Sequence, residues 1–323
     1  MFLHILYLII GLVVIVMSAG YFISGSSLLA KRFGIPKLII GLTIIAVGTS
    51  APEFGVNIIA SINGHNELAL GNILGSNIAN ILLIFGFSTL FIKKMTISKN
   101  SLTQVSLGLL VSVIILCFGM FSFESQAVVQ LTQIEGILLI ILGLFYWFYL
   151  YKITRADSER LEGDDLDQNQ LRSIQSTPVL IAIIIASLVA LLYGSNLVTE
   201  RAVAVAQLFG ISELVIAGTI VAIGTSLPEL VTSISAIRQK QYDLMIGNII
   251  GSNIVNTLFI LGTSVMIQSI PIQTDGVSYI MMNVLVAIVI LVGFTLFQPR
   301  VLKRWQGFIL VLMYVLFLLI NMH

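Results

Sequence analysis

Hydrophobic residues occupy the chain in long runs that short polar turns separate. A helix needs about 20 apolar residues to cross the hydrocarbon core of a bilayer. Ten runs approach or exceed this length, and the pattern predicts spans at 4–27, 37–62, 68–91, 102–121, 127–150, 177–205, 212–237, 243–267, 278–297 and 304–321. The first run has no basic segment before it and continues well past the core of a signal peptide, so we expect a true span.

The composition agrees with a membrane protein. Of the 323 residues, 58% are hydrophobic and 10% are charged, whereas a soluble domain carries about 25% charged residues. The net charge of +1 gives no indication of nucleic-acid binding, and the single cysteine excludes an internal disulfide. The three histidines are scattered, so any bound metal should be a hard cation with oxygen ligands. We expect a multi-pass protein of the cell membrane, with the lipid bilayer but no nucleic acid or obligatory protein as partner.

The basic residues predict an orientation for these spans. Fifteen of the 16 Lys and Arg residues fall in the loops that follow odd-numbered spans, and only Arg201 falls on the other side. Loops rich in Lys and Arg remain in the cytoplasm. Both termini are therefore expected to face outward.

Two motifs recur at a constant offset of 176 residues. GTSAPE at 48–53 returns as GTSLPE at 224–229, and GNILGSNIAN at 71–80 returns as GNIIGSNIVN at 247–256. Each half has five predicted spans, an odd number, so the halves should insert in opposite orientations. The sequence therefore predicts an all-α integral membrane protein of ten transmembrane helices in two inverted five-helix repeats. The repeats cover 1–150 and 177–323, and 151–176 is a solvated cytoplasmic linker without the features of an EF-hand loop.

Glu53 and Glu229 are the candidate functional carboxylates. Along a helix, Glu53 lies about 24 Å from Lys37 and about 15 Å from Asn63, which places it in the apolar core, and Glu229 is equivalent. An ionised carboxylate there costs about 3 kcal/mol or more, and such residues usually line an ion path. The alternative is a protonated, hydrogen-bonded structural glutamate. The symmetric pair favours ion binding.

Pro52 and Pro228 precede these glutamates and should open their helices, because proline lacks an amide proton and its ring clashes with the carbonyl four residues earlier. The opening would free carbonyl oxygens, which lipid does not tolerate unless something binds them. Spacings of three and four residues place the freed carbonyls and the polar side chains on the same helix face as each glutamate. The face in the first copy consists of Ala46, Thr49, Ser50 and Glu53, and the face in the second copy consists of Ala222, Thr225, Ser226 and Glu229. A proline kink satisfied by neighbouring helices and water is the alternative.

The second motif adds two polar stripes with four-residue spacing. They consist of Asn72, Ser76 and Asn80, and of Asn248, Ser252 and Asn256. With the first motif they offer carboxylates, carbonyls, hydroxyls and amides, which suit the six to eight oxygen ligands of Ca²⁺. Two carboxylates balance one Ca²⁺ or two Na⁺, so simultaneous binding is disfavoured. The residues predict a cation antiporter without selecting the cation pair.

GTSxPE followed by GNxxGSNxxN, present twice, resembles the α-repeats of the sodium/calcium exchanger family within the cation/calcium exchanger superfamily. The resemblance is tight over spans 2–3 and 7–8. It implies a transporter, not an enzyme, that needs no cofactor and uses sodium influx to expel calcium by alternating access. Spans 1 and 6 would slide to open the site to each side.

The resemblance also implies roles for the site residues. Glu53 and Glu229, with the carbonyls of Thr49 and Thr225, would form a central calcium site. One sodium site would use Ala46, Thr49, Ser50, Ser76 and Glu229, and its counterpart would use Ala222, Thr225, Ser226, Ser252 and Glu53. Asn80 and Asn256 would lie between the glutamates.

Four other functions are alternatives. Some relatives carry Asp where this chain has Asn256, and the neutral residue argues against potassium co-transport. Proton/calcium exchange would use the same glutamates, although the flanking hydroxyls and carbonyls favour sodium. A passive cation channel and an intramembrane enzyme that uses the glutamates as acid and base are the alternatives from other classes.

Overall fold

The computed structural model describes residues 2–92, 94–96, 130–161, 176–209, 222–271 and 301–321. Most of these residues are helical. The α-helices, in chain order, are α1 Phe2–Phe33, α2 Lys37–Ile40, α3 Ala46–Thr49, α4 Ala51–Ile62, α5 Asn66–Ile78, α6 Gly86–Leu90, α7 Gln133–Leu161, α8 Thr177–Leu208, α9 Ala222–Thr225, α10 Leu227–Arg238, α11 Tyr242–Ile254, α12 Leu261–Ile267 and α13 Arg304–Asn321. Three π-helical segments continue the helices that precede them: π1 Gly41–Ile45, π2 Ala79–Phe85 and π3 Val255–Ile260.

Among the described residues, five helical segments are long and apolar enough to cross a membrane. They are Leu3–Phe33, Leu68–Leu90, Gln133–Lys152, Thr177–Leu208 and Tyr242–Ile267, and they confirm the apolar helices predicted at these places. A sixth candidate consists of Lys37–Thr49 and Ala51–Ile62, which a break at Ser50 separates, and Arg304–Leu319 is a shorter apolar helix. The predicted spans 102–121 and 278–297, and the first part of 212–237, lie outside the described residues.

Three boundaries differ by six residues or more from the sequence expectation, and the first is the start of α7 at Gln133 instead of at 127. The helix α1 continues to Phe33, where Gly34 takes a left-handed φ of 63° that suits the residue after a helix end. The helix α7 continues to Leu161, so the first part of the expected linker at 151–176 is helical. This extension contains Arg, Ala, Glu and Leu, which have high helix propensity. The helix therefore continues beyond residue 150, where the apolar run and the predicted span end.

The helices recur with the same 176-residue offset as the motifs. The pair α3 and α9 starts and ends at equivalent residues, as do α4 with α10 and α5 with α11. The turns after α4 and α10 also correspond: Gly64 has a φ of 76°, and Lys240, 176 residues later, has a φ of 56°. Equivalent sequence therefore gives equivalent local structure in the two halves.

The chain forms two compact units, and each takes segments from both sequence halves. The first contains residues 1–49 and 147–248, and the second contains residues 50–146 and 249–323. In the first unit α1 packs along α8 and against α10. Small residues allow these close approaches, since a Cβ added to Gly11 of α1 would lie 2.7 Å from Val198 Cγ2 of α8. The backbones of π1 and α11 also approach closely, at Gly41 and Gly247.

In the second unit α4 packs against α5, π3 and α12, and α13 packs against π2 and α6. Two short antiparallel ladders extend the unit. The strand β1 (Lys94–Thr96) pairs with β4 (Val301–Lys303), and β2 (Gln130–Leu131) pairs with β3 (Ile270–Pro271). The buried face of α4 thus lies among helices that carry the second sequence motif.

Candidate cation-binding residues

Both GTSxPE motifs contain a break between two helices. Ser50 (φ −80°, ψ 10°) separates α3 from α4, and Ser226 (φ −90°, ψ 6°) separates α9 from α10. Pro52 and Pro228 lie in the first turn of the helix that follows, where the missing N–H leaves no intrahelical bond unmade. The predicted interruption is present, and each proline starts a new helix instead of kinking a continuous one.

Each new helix carries its glutamate in the first turn. Glu53 of α4 and Glu229 of α10 are both 1% exposed. The N-terminus of a helix has a partial positive charge and exposed N–H groups, which stabilise a nearby anion. The break therefore offsets part of the cost of keeping a carboxylate charged in an apolar protein interior.

In the first unit a single amide connects the two motifs. Asn248 of α11 is fully buried; its Oδ1 accepts a hydrogen bond from Thr49 Oγ1 at 3.0 Å. Its Nδ2 donates to the backbone oxygen of Glu229 at 3.3 Å and to Ser233 Oγ at 3.1 Å. Asn248 thus holds the end of α3 and the first turns of α10 in fixed positions.

The second unit contains a corresponding amide cluster. Asn256 Nδ2 donates to Ser76 Oγ at 2.8 Å and to Asn77 Oδ1 at 3.2 Å, and Asn77 Nδ2 donates to Thr257 Oγ1 at 3.0 Å. These bonds use the donor side of Asn256 and fix the orientation of its amide. Its Oδ1, like that of Asn80, is buried and has no hydrogen-bond partner among the described residues. Both oxygens therefore remain available to a cation.

The candidate residues divide evenly between the units. The first contains Ala46, Thr49, Ala222, Thr225, Ser226 and Glu229, and the second contains Ser50, Glu53, Ser76, Asn80, Ser252 and Asn256. Direct hydrogen bonds join Ser76 to Asn256, and Asn248 joins Thr49 to Glu229. Nearly all candidates with described side chains are buried, and Thr225 is partly exposed.

Four of the residues that make these bonds have no site role predicted from the sequence. The sequence places Asn248 in a polar stripe but does not indicate its connecting position, and it does not single out Asn77, Thr257 or Ser233. One sequence feature could have indicated Asn77: the complete tripeptide GSN at 75–77 recurs at 251–253, so Asn77 is repeated as Asn253. In the described parts of the chain, no three His, Cys, Asp or Glu side chains group to hold a metal. The candidate ligand atoms are carboxylate oxygens and neutral oxygens, which suit hard cations.

Comparison with known proteins identifies the family. The family model described as sodium/calcium exchanger protein matches residues 3–152 and 179–323. Inner membrane protein YrbG of Escherichia coli (strain K12) is 37% identical over 276 residues, which cover 84% of this chain and 82% of that protein. Sodium/calcium exchanger MaX1 of Methanosarcina acetivorans is 31% identical over 345 residues, covering 98% and 97% of the two chains.

A solved structure supports the same assignment. The sodium-calcium exchanger NCX_Mj soaked with 10 mM Na⁺ superposes with a TM-score of 0.82 at 27% sequence identity, over 98% of this chain and 97% of that chain. Together with the apolar helices, these similarities show a multi-pass protein of the cell membrane. The chain belongs to the sodium/calcium exchanger family.

Proposed function

We propose that the protein is a secondary active antiporter that exchanges Na⁺ for Ca²⁺ by alternating access and normally expels Ca²⁺ with the energy of sodium influx. The observation that carries the proposal is the repeated helix break with a buried glutamate in the following first turn. Relatives named as sodium/calcium exchangers cover almost the whole chain. Like other antiporters, the protein would need no cofactor and no obligatory protein partner, and it would catalyse no chemical reaction.

The proposed architecture is ten transmembrane helices in two inverted repeats, with both termini outside. The repeats cover 1–150 and 177–323, and 151–176 joins them in the cytoplasm. Support comes from the 176-residue offset between equivalent helices and from the Lys and Arg residues in alternate loops. Inverted repeats with interrupted helices are a common plan of secondary transporters.

Glu53 and Glu229 would bind Ca²⁺ together with the carbonyl oxygens of Thr49 and Thr225. In the absence of Ca²⁺, the same two negative charges would balance two sodium ions, so each cation displaces the other. The sodium sites would use the flanking oxygens, namely Ala46, Thr49, Ser50 and Ser76 with Glu229, and Ala222, Thr225, Ser226 and Ser252 with Glu53. Support comes from the burial of both glutamates and from the helix N-termini on which they lie.

Asn80 and Asn256 would contribute neutral amide oxygens beside the carboxylates. Their buried Oδ1 atoms, which lack a partner among the described residues, support this role. Because an amide brings no charge, two carboxylates remain the full negative charge of the proposed site. We therefore propose exchange without potassium.

The test is uptake of radioactive calcium into proteoliposomes that are loaded with sodium. We expect uptake that requires internal sodium, needs no potassium and is lost in Glu53→Gln. Uptake driven by a proton gradient alone would replace the proposal with proton/calcium exchange. Uptake that needs no counter-ion gradient would identify a channel.

A further inference from the structure

Three buried oxygens in the second unit lie outside the proposed cation ligands. Asn57 Oδ1, Ser61 Oγ and Ser264 Oγ have no hydrogen-bond partner among the described residues, and all three residues are 0% exposed. A buried polar atom left unsatisfied in a protein destabilises it, and native proteins usually satisfy such atoms with protein groups or ordered water. These three oxygens therefore lack the partner that a bound water molecule or ion would supply.

Two of the three residues extend the glutamate stripe of α4. Asn57 and Ser61 follow Glu53 at intervals of four residues, so all three lie on one face of the helix. This face is buried, whereas Ile59 and Ile62 on the opposite side are 62% and 65% exposed. Asn57 Nδ2 donates to the backbone oxygen of Glu53 at 2.8 Å, which uses the donor side of the amide and leaves its Oδ1 for a ligand.

The third residue belongs to a helix that packs on α4. The helix α12 contacts α4, and both end near one point, since a Cβ added to Gly64 would lie 3.7 Å from Gln268 Oε1. Ser61 precedes Gly64 by three residues and Ser264 precedes Gln268 by four. Both hydroxyls therefore lie about one turn below this contact, whose residues Gly64 and Gln268 are exposed.

We propose that Asn57, Ser61 and Ser264 line a hydrated passage through which Na⁺ or Ca²⁺ moves between the end of α4 and Glu53. The inference rests on the proposed function, in which Glu53 binds the transported cations. Neutral oxygens suit a passage because they replace part of the hydration shell without holding the ion as a carboxylate does, and transport requires weak binding along the way.

The second half does not reproduce this stripe. The equivalents of Asn57 and Ser61 on α10 are Ser233 and Ile237. Ser233 accepts a hydrogen bond from Asn248, and Ile237 is a buried apolar residue. At this four-residue spacing the polar line that starts at Glu229 therefore ends after one turn, so α10 lacks the stripe that Asn57 and Ser61 form on α4. Ser264 does have an equivalent, Ser88, which is also buried and whose Oγ has no partner among the described residues.

Cysteine accessibility tests the passage. In a background in which the single cysteine is replaced, Cys117→Ser, we would introduce Ser61→Cys, Ile237→Cys as the mirror control, and Asn63→Cys as a reporter of sidedness. The probe is a positively charged, membrane-impermeant methanethiosulfonate, added to each face of the membrane in turn. We expect Ser61→Cys to react from the same face as Asn63→Cys, and at least about tenfold faster than Ile237→Cys.

Cations should slow the reaction at Ser61→Cys, and separate trials with Na⁺ and Ca²⁺ show which ion occupies the passage. A Ser61→Cys protein that reacts no faster than Ile237→Cys, or whose reaction neither cation slows, would overturn the passage. The labelling does not depend on transport. Calcium uptake by the wild-type protein that does not depend on sodium would refute the proposed function. Sodium-dependent uptake together with an unreactive Ser61→Cys would refute only the passage.

A pair of variants at Ser61 provides a second measurement. Ser61→Val adds a bulky apolar group to the passage, and Ser61→Ala only removes the hydroxyl. We expect Ser61→Val to slow calcium uptake about tenfold more than Ser61→Ala, with equilibrium calcium binding within about twofold of wild type in both. Equal uptake rates in the two variants, or a loss of equilibrium binding that accounts for the slower uptake, would contradict a role in access.

Discussion

Replacing Asn248 with alanine removes the amide that connects α3 with α10. Its Nδ2 is the donor to the backbone oxygen of Glu229 and to Ser233 Oγ, and its Oδ1 accepts from Thr49. The Glu229 carbonyl lies inside the first turn of α10 and keeps its helical bond, so the change removes buried hydrogen bonds without leaving this oxygen wholly unpaired. The lost hydrogen bonds cost about 1–3 kcal/mol in total, and the space left by the amide adds about 1 kcal/mol. We therefore expect a destabilisation of about 2–4 kcal/mol.

The same change should weaken sodium binding. Thr49 Oγ1 lies 3.1 Å from the Ile45 oxygen and 3.3 Å from the Ala46 oxygen as well as 3.0 Å from Asn248 Oδ1. Without Asn248 the Thr49 hydroxyl donates to these carbonyls instead, and it would compete for the Ala46 oxygen with the sodium ion that we propose it binds. The loss of one such ligand is worth about 1 kcal/mol, so the sodium concentration for half-maximal calcium uptake should rise about fivefold.

The mirror residue Asn72 provides the matched control, because its Nδ2 has no hydrogen-bond partner among the described residues. Asn72→Ala should therefore destabilise less than Asn248→Ala. Thermal unfolding in detergent measures the first effect, and calcium uptake at graded sodium concentrations measures the second. Equal melting temperatures for the two variants, or an unchanged sodium dependence in Asn248→Ala, would refute the reasoning.

Further expectations concern the two glutamates, Asn256 and a helix contact. Glu53→Gln and Glu229→Gln should each abolish calcium transport while the protein remains folded in size-exclusion chromatography, and near wild-type uptake in either would remove that residue from the site. Asn256→Asp adds a negative charge and should change the cation preference in competition assays. An unchanged preference would exclude Asn256 from the cation-binding residues. A Cβ at Gly247 would lie 2.7 Å from Gly41 Cα, whereas one at Gly71 meets nothing within 4 Å. Gly247→Ala should therefore lower the melting temperature by several degrees and Gly71→Ala should not, and equal melting temperatures would contradict this contact.

The sequence predicted the local features of the candidate site because their causes are local. A proline that lacks an N–H disfavours a continuous helix through its own position, and the structure has both interruptions, at Ser50 and Ser226. The burial of Glu53 and Glu229 likewise followed from their distance to the polar ends of the predicted spans. The 176-residue offset, visible in the motifs, extends to the bounds of whole helices.

The differences between the halves could not be predicted in this way. The 176-residue offset makes Asn57 equivalent to Ser233 and Gly71 equivalent to Gly247. It does not show which residue of each pair makes a contact with another part of the chain. Engagement depends on partners distant in the chain, such as Thr49 for Asn248 and Gly41 for Gly247. Such contacts form only in the tertiary structure.

The two strand ladders constrain the order in which the protein assembles. The strand β1 ends at Thr96, and its partner β4 starts at Val301, so at 5–20 residues per second the ribosome needs about 10–40 s to add the intervening chain. Until then the second unit lacks one of its pairings, although most of its helices have already been synthesised. The second unit therefore cannot be completed until nearly the whole chain has been synthesised, and its early segments gain their late partners only then.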